Sequence, residues 1–336
     1  MKHLLYIGNK LSKHGSNSTS IETMGNLFES EGFQVDYASS YRNKSLRMLN
    51  MIYSTIRLRN KVEYVLIDVY STTNFWYAFI ISQLCRFFRL KYIPKLHGGN
   101  LPNRLDNNPK LCKMVFNNAY INIAPSNYLL TAFQKRGFFN IKYIPNAIEI
   151  QNYKFKDRNV IEPKLLWVRS FAPIYNPEMA IKVLATLLEK YPEATLSMVG
   201  PDKNGCLVKC KKMAYNLGLK INFPGKLSKN EWTTLSQEYD IFINTTHFDN
   251  TPVSVIEAMA LGLAVVTTNV GGIPYLLKNN TEAIKVNDND VEAMVEGIEK
   301  LIDEPCFFKE ITRNARVKSE SFDWNSIKQE WLEILK

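Results

Sequence analysis

The chain has 336 residues, 46% of them hydrophobic and 22% charged, which excludes a disordered or low-complexity chain and is long enough for two domains. The net charge of +10 is uneven: residues 1–150 hold 19 Lys and Arg against 8 Asp and Glu, and the rest of the chain's 42 and 32 leaves 23 against 24. A basic first half suggests an anionic partner, such as a phosphorylated lipid, a membrane surface or nucleic acid. The five cysteines form no CxxC pair and favour a reducing compartment. Met1–Gly8 is too short for a signal peptide, and Phe75–Cys85, the longest apolar run, is too short to span a bilayer.

In chain order, His3–Gly8 reads as a buried strand. The polar loop Asn9–Ser20 and a helix over Ser20–Glu31, stopped by Gly32, follow it. Strand, polar loop and helix open a doubly wound domain, although Gly8 and Gly15 do not make a GxGxxG fingerprint. Arg42–Lys61 is amphipathic, with Leu46, Leu49, Ile52 and Ile56 on one side. Its six Lys and Arg and lack of acids suggest a helix lying on an anionic membrane; a surface helix packed by its apolar side is the commoner fate of this pattern. Tyr64–Val69 is a strand, Thr73–Phe88 an apolar helix, and Lys91–Leu96 a strand ending at His97-Gly98-Gly99. Tyr120–Ala124, Asn127–Arg136 and Ile141–Ile144 complete this half as strand, helix and strand.

Ile148–Pro163 loses periodicity and reads as a linker. The alternation then resumes. Leu165–Val168, Ala194–Val199 and Ile221–Pro224 are strands, with helices at Pro177–Lys190, Cys206–Leu217 and Glu231–Tyr239. Ile241–Pro274 reads as strand, loop, helix, strand and glycine turn, with Asp249 in the loop and Glu257 in the helix. Acids at the carboxyl end of a strand sit where an open α/β sheet holds a ligand. The helix start after Pro252 offers unpaired N–H groups to an anion such as a phosphate. The last helices are Val291–Glu304, Phe307–Lys318 and Trp324–Leu335. The domains expected are 1–150, 151–320 and a terminal helical segment, 321–336. Asp288-Asn289-Asp290 has the letters of a metal-binding DxD, but it stands just before a helix, where Asp is a good N-cap, so no metal is expected.

Four segments together resemble the retaining GT-B glycosyltransferases of family 4: LHGG at 96–99, the APSNYLL…IKYIPNA run at 124–147, VRSFAPIYNP at 168–177, and FDNTPVSVIEAMALGLAVVTTNVGGIP at 248–274. The resemblance implies an α/β GT-B architecture of two Rossmann-like doubly wound domains facing a central cleft. The first would bind the acceptor and the second a nucleotide sugar, and the segment 321–336 would cross back to the first. It implies that Glu257 binds the ribose hydroxyls and that Asp249 meets the transferred sugar, aided by the loop Asn250, Thr251, Pro252 and Val253. The family usually has glutamate where Asp249 stands. Arg169 would bind the diphosphate, His97 would meet the sugar, and Gly15 and Ser16 would face the diphosphate and acceptor. The family's lysine after this arginine is missing, and Ile174-Tyr175-Asn176-Pro177 stands in its place. Tyr175 or Asn176 would then bond a phosphate, with Lys226 a substitute cation.

The implied chemistry is front-face transfer of a sugar to a hydroxyl of a lipid-linked or cell-envelope glycan, with no cofactor. A peripheral enzyme on the inner face of the cytoplasmic membrane is expected, with no nucleic-acid partner. The alternatives are a GT-B nucleotide-sugar epimerase or hydrolase, and a non-catalytic transferase-like binding protein. A nucleic-acid module lacks the aromatics interleaved with basic residues that it would need.

Overall fold

A computed structural model describes residues 2–12 and 19–336. The chain divides into two compact units, residues 1–145 with 328–336, and residues 146–327. Each contains one six-stranded parallel sheet. In the first unit the strands are β1 (His3–Ile7), β2 (Gln34–Ala38), β3 (Tyr64–Val69), β4 (Lys91–Leu96), β5 (Asn122–Ala124) and β6 (Ile141–Tyr143), in the order β2-β1-β3-β4-β5-β6. In the second they are β7 (Lys164–Val168), β8 (Thr195–Val199), β9 (Asn222–Gly225), β10 (Ile241–Asn244), β11 (Ala264–Thr268) and β12 (Ile284–Val286), in the order β12-β11-β10-β7-β8-β9. Both sheets are doubly wound, as the alternation of apolar strands and amphipathic helices predicts. The strands β3, β10 and β11 are buried along their whole length, which is why they read as continuous apolar runs.

In each sheet the winding reverses once. The reversal falls between β1 and β3 in the first unit and between β7 and β10 in the second. At such a point the connections leave on opposite faces and open a crevice at the carboxyl ends of the strands.

The structure adds elements that the sequence hides. The edge strand β2 (QVDYA) is too polar to stand out. Two short helices, Leu101–Asn107 and Pro109–Phe116, occupy an asparagine-rich stretch to which the sequence assigns no element, and Leu101, Leu105, Cys112, Val115 and Phe116 are buried. The terminal helix Trp324–Ile334 packs Trp331 edge-on against Phe28, with ring centroids 5.4 Å apart, and Lys328 bonds Glu31 at 3.0 Å.

Residues 148–163 are not a loose linker, and that expectation is corrected. Ile148 bridges to Asp323, and Tyr153 and Arg158 are buried in the second unit. The segment lacks periodicity because side chains, not a regular ladder, satisfy its surroundings. Arg158 donates Nε to Asp240 Oδ1 at 2.9 Å and also bonds the carbonyls of Lys156, Ser236, Tyr239, Leu261 and Gly262. Burial lowers its pKa and the Asp240 charge opposes that shift. The cation is tolerated because almost every N–H it buries is used.

Lys95 is the first unit's counterpart. It is fully buried near the carboxyl end of β4 and donates to Ser20 Oγ at 2.6 Å. Burial pushes its pKa down to about 8, with the Asp68 charge acting the other way.

Two tests follow from these buried cations. Arg158→Met leaves Asp240 and several carbonyls without their donor and should cost roughly 3–5 kcal/mol of stability, read as a lower urea midpoint. Lys95 should lose its proton near pH 8 in a Nζ-detected NMR titration, ahead of ordinary surface lysines, and that early resonance should vanish in Lys95→Met. Above pH 8 and below the ordinary lysine range, the unfolded chain binds the extra proton. This group's contribution to stability therefore becomes more favourable as pH rises through that window.

Candidate functional site

The second unit gathers its charged residues at the reversal between β7 and β10. Arg169 follows the last residue of β7, and its backbone N–H bonds the carbonyl of Val199 at 3.0 Å. Gly200 has its φ at +154°, and a Cβ there would lie 1.7 Å from the Arg169 carbonyl oxygen, so the approach requires glycine. The Arg169 guanidinium forms an ion pair with Asp249, and the Tyr175 ring lies under it with its centroid 4.2 Å from Cζ. Burial lowers the Arg169 pKa, and the Tyr175 hydroxyl and the Glu257 charge oppose the shift. Arg169 Nε is buried and has no hydrogen-bond partner among the described residues.

The loop carrying Asp249 is held on two sides. Gly271 and Gly272 pass so close that a Cβ at 271 would come within 2.1 Å of the Asp249 carbonyl oxygen, and one at 272 within 1.8 Å of that of Asn250. Gly272 N–H instead donates to the Asp249 carbonyl at 2.8 Å. The glycine turn that ends the Ile241–Pro274 stretch is therefore a clamp on the acidic loop. On the other side, Thr245 Oγ1 bonds the carbonyls of Tyr175 and Asn176, and Thr246 Oγ1 bonds that of Ile174. The 172–177 loop is thus tied to the end of β10.

Glu257 lies in the Val253–Ala260 helix and is only 3% exposed. Its Oε1 accepts from the Tyr153 hydroxyl at 2.8 Å and pairs with the Lys229 ammonium. Burial and the Glu257 charge raise the Tyr153 pKa, so its proton stays in place. The same helix begins without a side-chain cap after Pro252, and Ser254 Oγ is buried with no partner among the described residues. Asn250 and Thr251 are buried in the loop that leads into it. The structure thus brings Arg169, Tyr175, Asp249, Asn250, Thr251, Pro252, Val253 and Glu257 to one end of one sheet. A cavity of about 480 Å³ lined by Lys156, Lys164, Thr195, Lys220 and Asp240 opens at the opposite, amino end of β7 and β8 and touches none of them.

In the first unit, His97 follows β4. Its Nε2 bonds Asp68 Oδ1 at 2.8 Å and its ring stacks on Tyr70 at 5.4 Å. Asp68 also accepts from Tyr6 at 3.1 Å. The partner of His97 is thus a carboxylate rather than a backbone carbonyl. Gly15 and Ser16 lie outside the described residues.

One expectation changes. The Asn176 side chain is committed to Asn289 at 2.8 Å and is not directed to a ligand. Separately, Glu257 pairs with Lys229, a residue for which the sequence suggests no role. Asp290 caps the helix after it by accepting from Ala293 N–H at 3.0 Å, and Asp288 bonds His247. Lys229, Tyr153 and Asp68 are not apparent from the sequence. Tyr153 sits in the stretch that reads as linker, Lys229 is one of many surface lysines by pattern, and Asp68 is hidden in an apolar strand.

Among the described residues no helix is long and apolar enough to cross a membrane. An uncharacterized glycosyltransferase of Haemophilus influenzae is 28% identical over 156 residues, which cover 46% of this chain and 44% of that protein. The chain thus spans about half the length of this curated relative or less. The structure of Anabaena HepE in complex with UDP and glucose superposes with a TM-score of 0.80 at 18% identity, over 100% of this chain and 99% of that one. Sucrose-phosphate synthase from Thermosynechococcus elongatus gives 0.84 at 14% identity, over 99% and 98%. These two likenesses establish the fold, which is GT-B. The family model for glycosyl transferases group 1 matches residues 150–318, which contain Arg169, Lys229, Asp249 and Glu257, and the chain belongs to that family.

Proposed function

We propose that the chain is a retaining glycosyltransferase of family 4 that moves a sugar from a nucleotide sugar to a hydroxyl of a lipid-linked or cell-envelope glycan. The observation that carries this reading is the surplus of buried donors beside paired carboxylates. Arg169 Nε, Ser254 Oγ and the uncapped start of the Val253–Ala260 helix meet at the carboxyl end of β7 and β10. Buried polar groups normally find partners, so unused donors at one place point to an anion that completes them. A diphosphate fits: the Arg169 fork binds its oxygens and stabilises the charge that develops as it leaves. Glu257 is acceptor-only when ionised and suits ribose hydroxyls, while Asp249 suits those of the transferred sugar. His97 receives a sugar hydroxyl in the first unit.

With retention, the departing phosphate takes the acceptor's proton as the acceptor hydroxyl attacks from the same face. The protein then supplies orientation and charge stabilisation rather than a nucleophile. HepE was crystallised with UDP and glucose, which makes UDP the first nucleotide to test here.

The lipid-linked acceptor and a peripheral membrane location rest on the Lys44–Leu58 helix. Its inner side carries Arg47, Met51, Ser54, Thr55 and Leu58. Leu46, Leu49, Tyr53 and Ile56 face outward, with Leu49 60% and Tyr53 61% exposed. An apolar stripe turned to solvent and flanked by Arg42, Lys44, Arg57, Arg59 and Lys61 suits the interface of an anionic bilayer. Simple packing would have turned that stripe inward.

Glu257→Ala should weaken UDP binding on the order of 10-fold or more in calorimetry while the circular dichroism spectrum stays native. Unchanged affinity would remove the ribose assignment, and absence of any nucleoside diphosphate binding by the native chain would end the donor-site reading. For the membrane, replacing Arg57, Arg59 and Lys61 together by Ser should cut co-sedimentation with phosphatidylglycerol vesicles by about 100-fold, at about 1 kcal/mol per charge. Equal sedimentation of variant and native chain would leave the helix a mere surface element.

A further inference from the structure

The second-unit site holds two acids and two cations, matched one to one: Arg169 on Asp249 and Lys229 on Glu257. The pairs differ in burial. Arg169 and Asp249 are both mostly buried, and the guanidinium is stacked on Tyr175. Lys229 is 52% exposed, so most of its length is in water and the contact at its amine anchors it. Its backbone is fixed independently. Ser228 caps the Lys229–Leu235 helix, accepting from Glu231 N–H at 3.3 Å, while Glu231 accepts from Ser228 N–H at 2.7 Å. The helix start therefore holds the root of Lys229 still and leaves four methylenes free to swing.

Glu257 Oε1 already takes the Tyr153 hydroxyl and the Lys229 ammonium, so ribose hydroxyls that turn to this oxygen compete with the ammonium for its lone pairs. Hydroxyls that take those lone pairs release the ammonium beside the phosphates they are bonded to. A nucleoside diphosphate brings at least two negative charges, whereas Arg169 alone supplies one positive charge. The 172–177 loop contains no lysine or arginine. Lys229 follows the carboxyl end of β9 by four residues, at the same, carboxyl end of the sheet as Arg169. Arg169 is close enough to Glu257 for that carboxylate to raise its pKa, so the amine on Glu257 lies in the field that the diphosphate enters.

We propose that Lys229 is the second diphosphate-binding cation of this chain and that it exchanges partners, leaving Glu257 for the phosphates as the ribose hydroxyls take its place. This deepens the donor-site reading above and rests on it. The exchange makes Lys229 oppose a bare nucleoside and favour a nucleoside diphosphate. A lysine that serves the structure alone would treat the two ligands alike.

The test is calorimetric titration of the full chain with UDP and with uridine, for native protein and Lys229→Met, with Lys229→Arg as the charge-preserving control. Lys229→Met should weaken UDP by about 10-fold or more, leave uridine as tight as before or tighter, and lose the salt dependence that one phosphate contact contributes. Lys229→Arg should retain most of the UDP affinity. UDP affinity unchanged in Lys229→Met, or UDP and uridine weakened equally, overturns the proposal while leaving the donor site intact. If native protein binds none of UDP, GDP and ADP, the donor-site reading falls and the exchange falls with it. Lys229 is half-exposed and Tyr153 still bonds Glu257, so the variant should fold; an unchanged melting temperature confirms that affinities are compared between native states.

Discussion

The requirement that a buried charge be partnered shapes the polar end of the second unit. Arg169 and Asp249 are brought together because the winding of the sheet reverses between β7 and β10, so the loops after those two strands flank one crevice. Neither residue could stay buried and ionised alone at tolerable cost. The surrounding sequence serves that meeting. Gly200 lets the chain pass the Arg169 carbonyl, the Gly271-Gly272 turn clamps the acidic loop, and Thr245 and Thr246 moor the 172–177 loop to the end of β10. The specific look of the Ile241–Pro274 stretch thus owes much to close approaches around an ion pair.

The first unit uses the same topology for a different balance. Its reversal lies between β1 and β3, and Asp68 near the end of β3 is the buried anion there. Tyr6 and His97 bond it directly, and Lys95 contributes charge while tied to Ser20. A Cβ at Gly8 would lie 2.7 Å from Asp68 Oδ2, so the residue that follows β1 is glycine and leaves room for the carboxylate. His97 therefore stands on a fixed base: its edge is held by Asp68 and its face by Tyr70. The orientation of this histidine follows from the core beneath it.

Much of this was legible in the sequence because burial writes itself as pattern. Strands covered on both faces read as apolar runs, and β1, β3, β4, β10 and β11 were found that way. Asp249 and Glu257 are visible as acids in a strand–loop–helix unit, whereas Arg169 is singled out only by the resemblance to a family. Other features are invisible for physical reasons. Arg158 and Tyr153 sit in an irregular stretch with no period, although both are buried and saturated or nearly so with hydrogen bonds. The helix Lys44–Leu58 shows the opposite failure: its periodicity gives a helix but not which side faces in, and the polar residues Arg47, Ser54 and Thr55 point inward while Leu46 and Leu49 do not. Arg47 can be buried because it bonds Asn9 and the carbonyls of Tyr41 and Arg42. Partners of that kind lie several to tens of residues away and leave no local trace.

The pairing of opposites at the second unit's site also bears on selectivity. A pocket of bare cations would take any phosphate, and one of bare carboxylates would take any polyol or metal ion. Here each acid is already satisfied by a cation, so a ligand with hydroxyls alone must displace an ammonium or guanidinium and gives it no new partner. A ligand with phosphate alone finds the donors at Arg169 Nε and Ser254 Oγ open but both cations paired, so it gains the cations only by freeing carboxylates into a buried environment. A molecule that carries hydroxyls and phosphates at matched spacing repays both losses at once, because each cation it displaces finds an oxygen to bind. Nucleoside diphosphates have that composition. On the proposed donor-site reading, this self-pairing favours a nucleoside diphosphate over inorganic phosphate or free sugar.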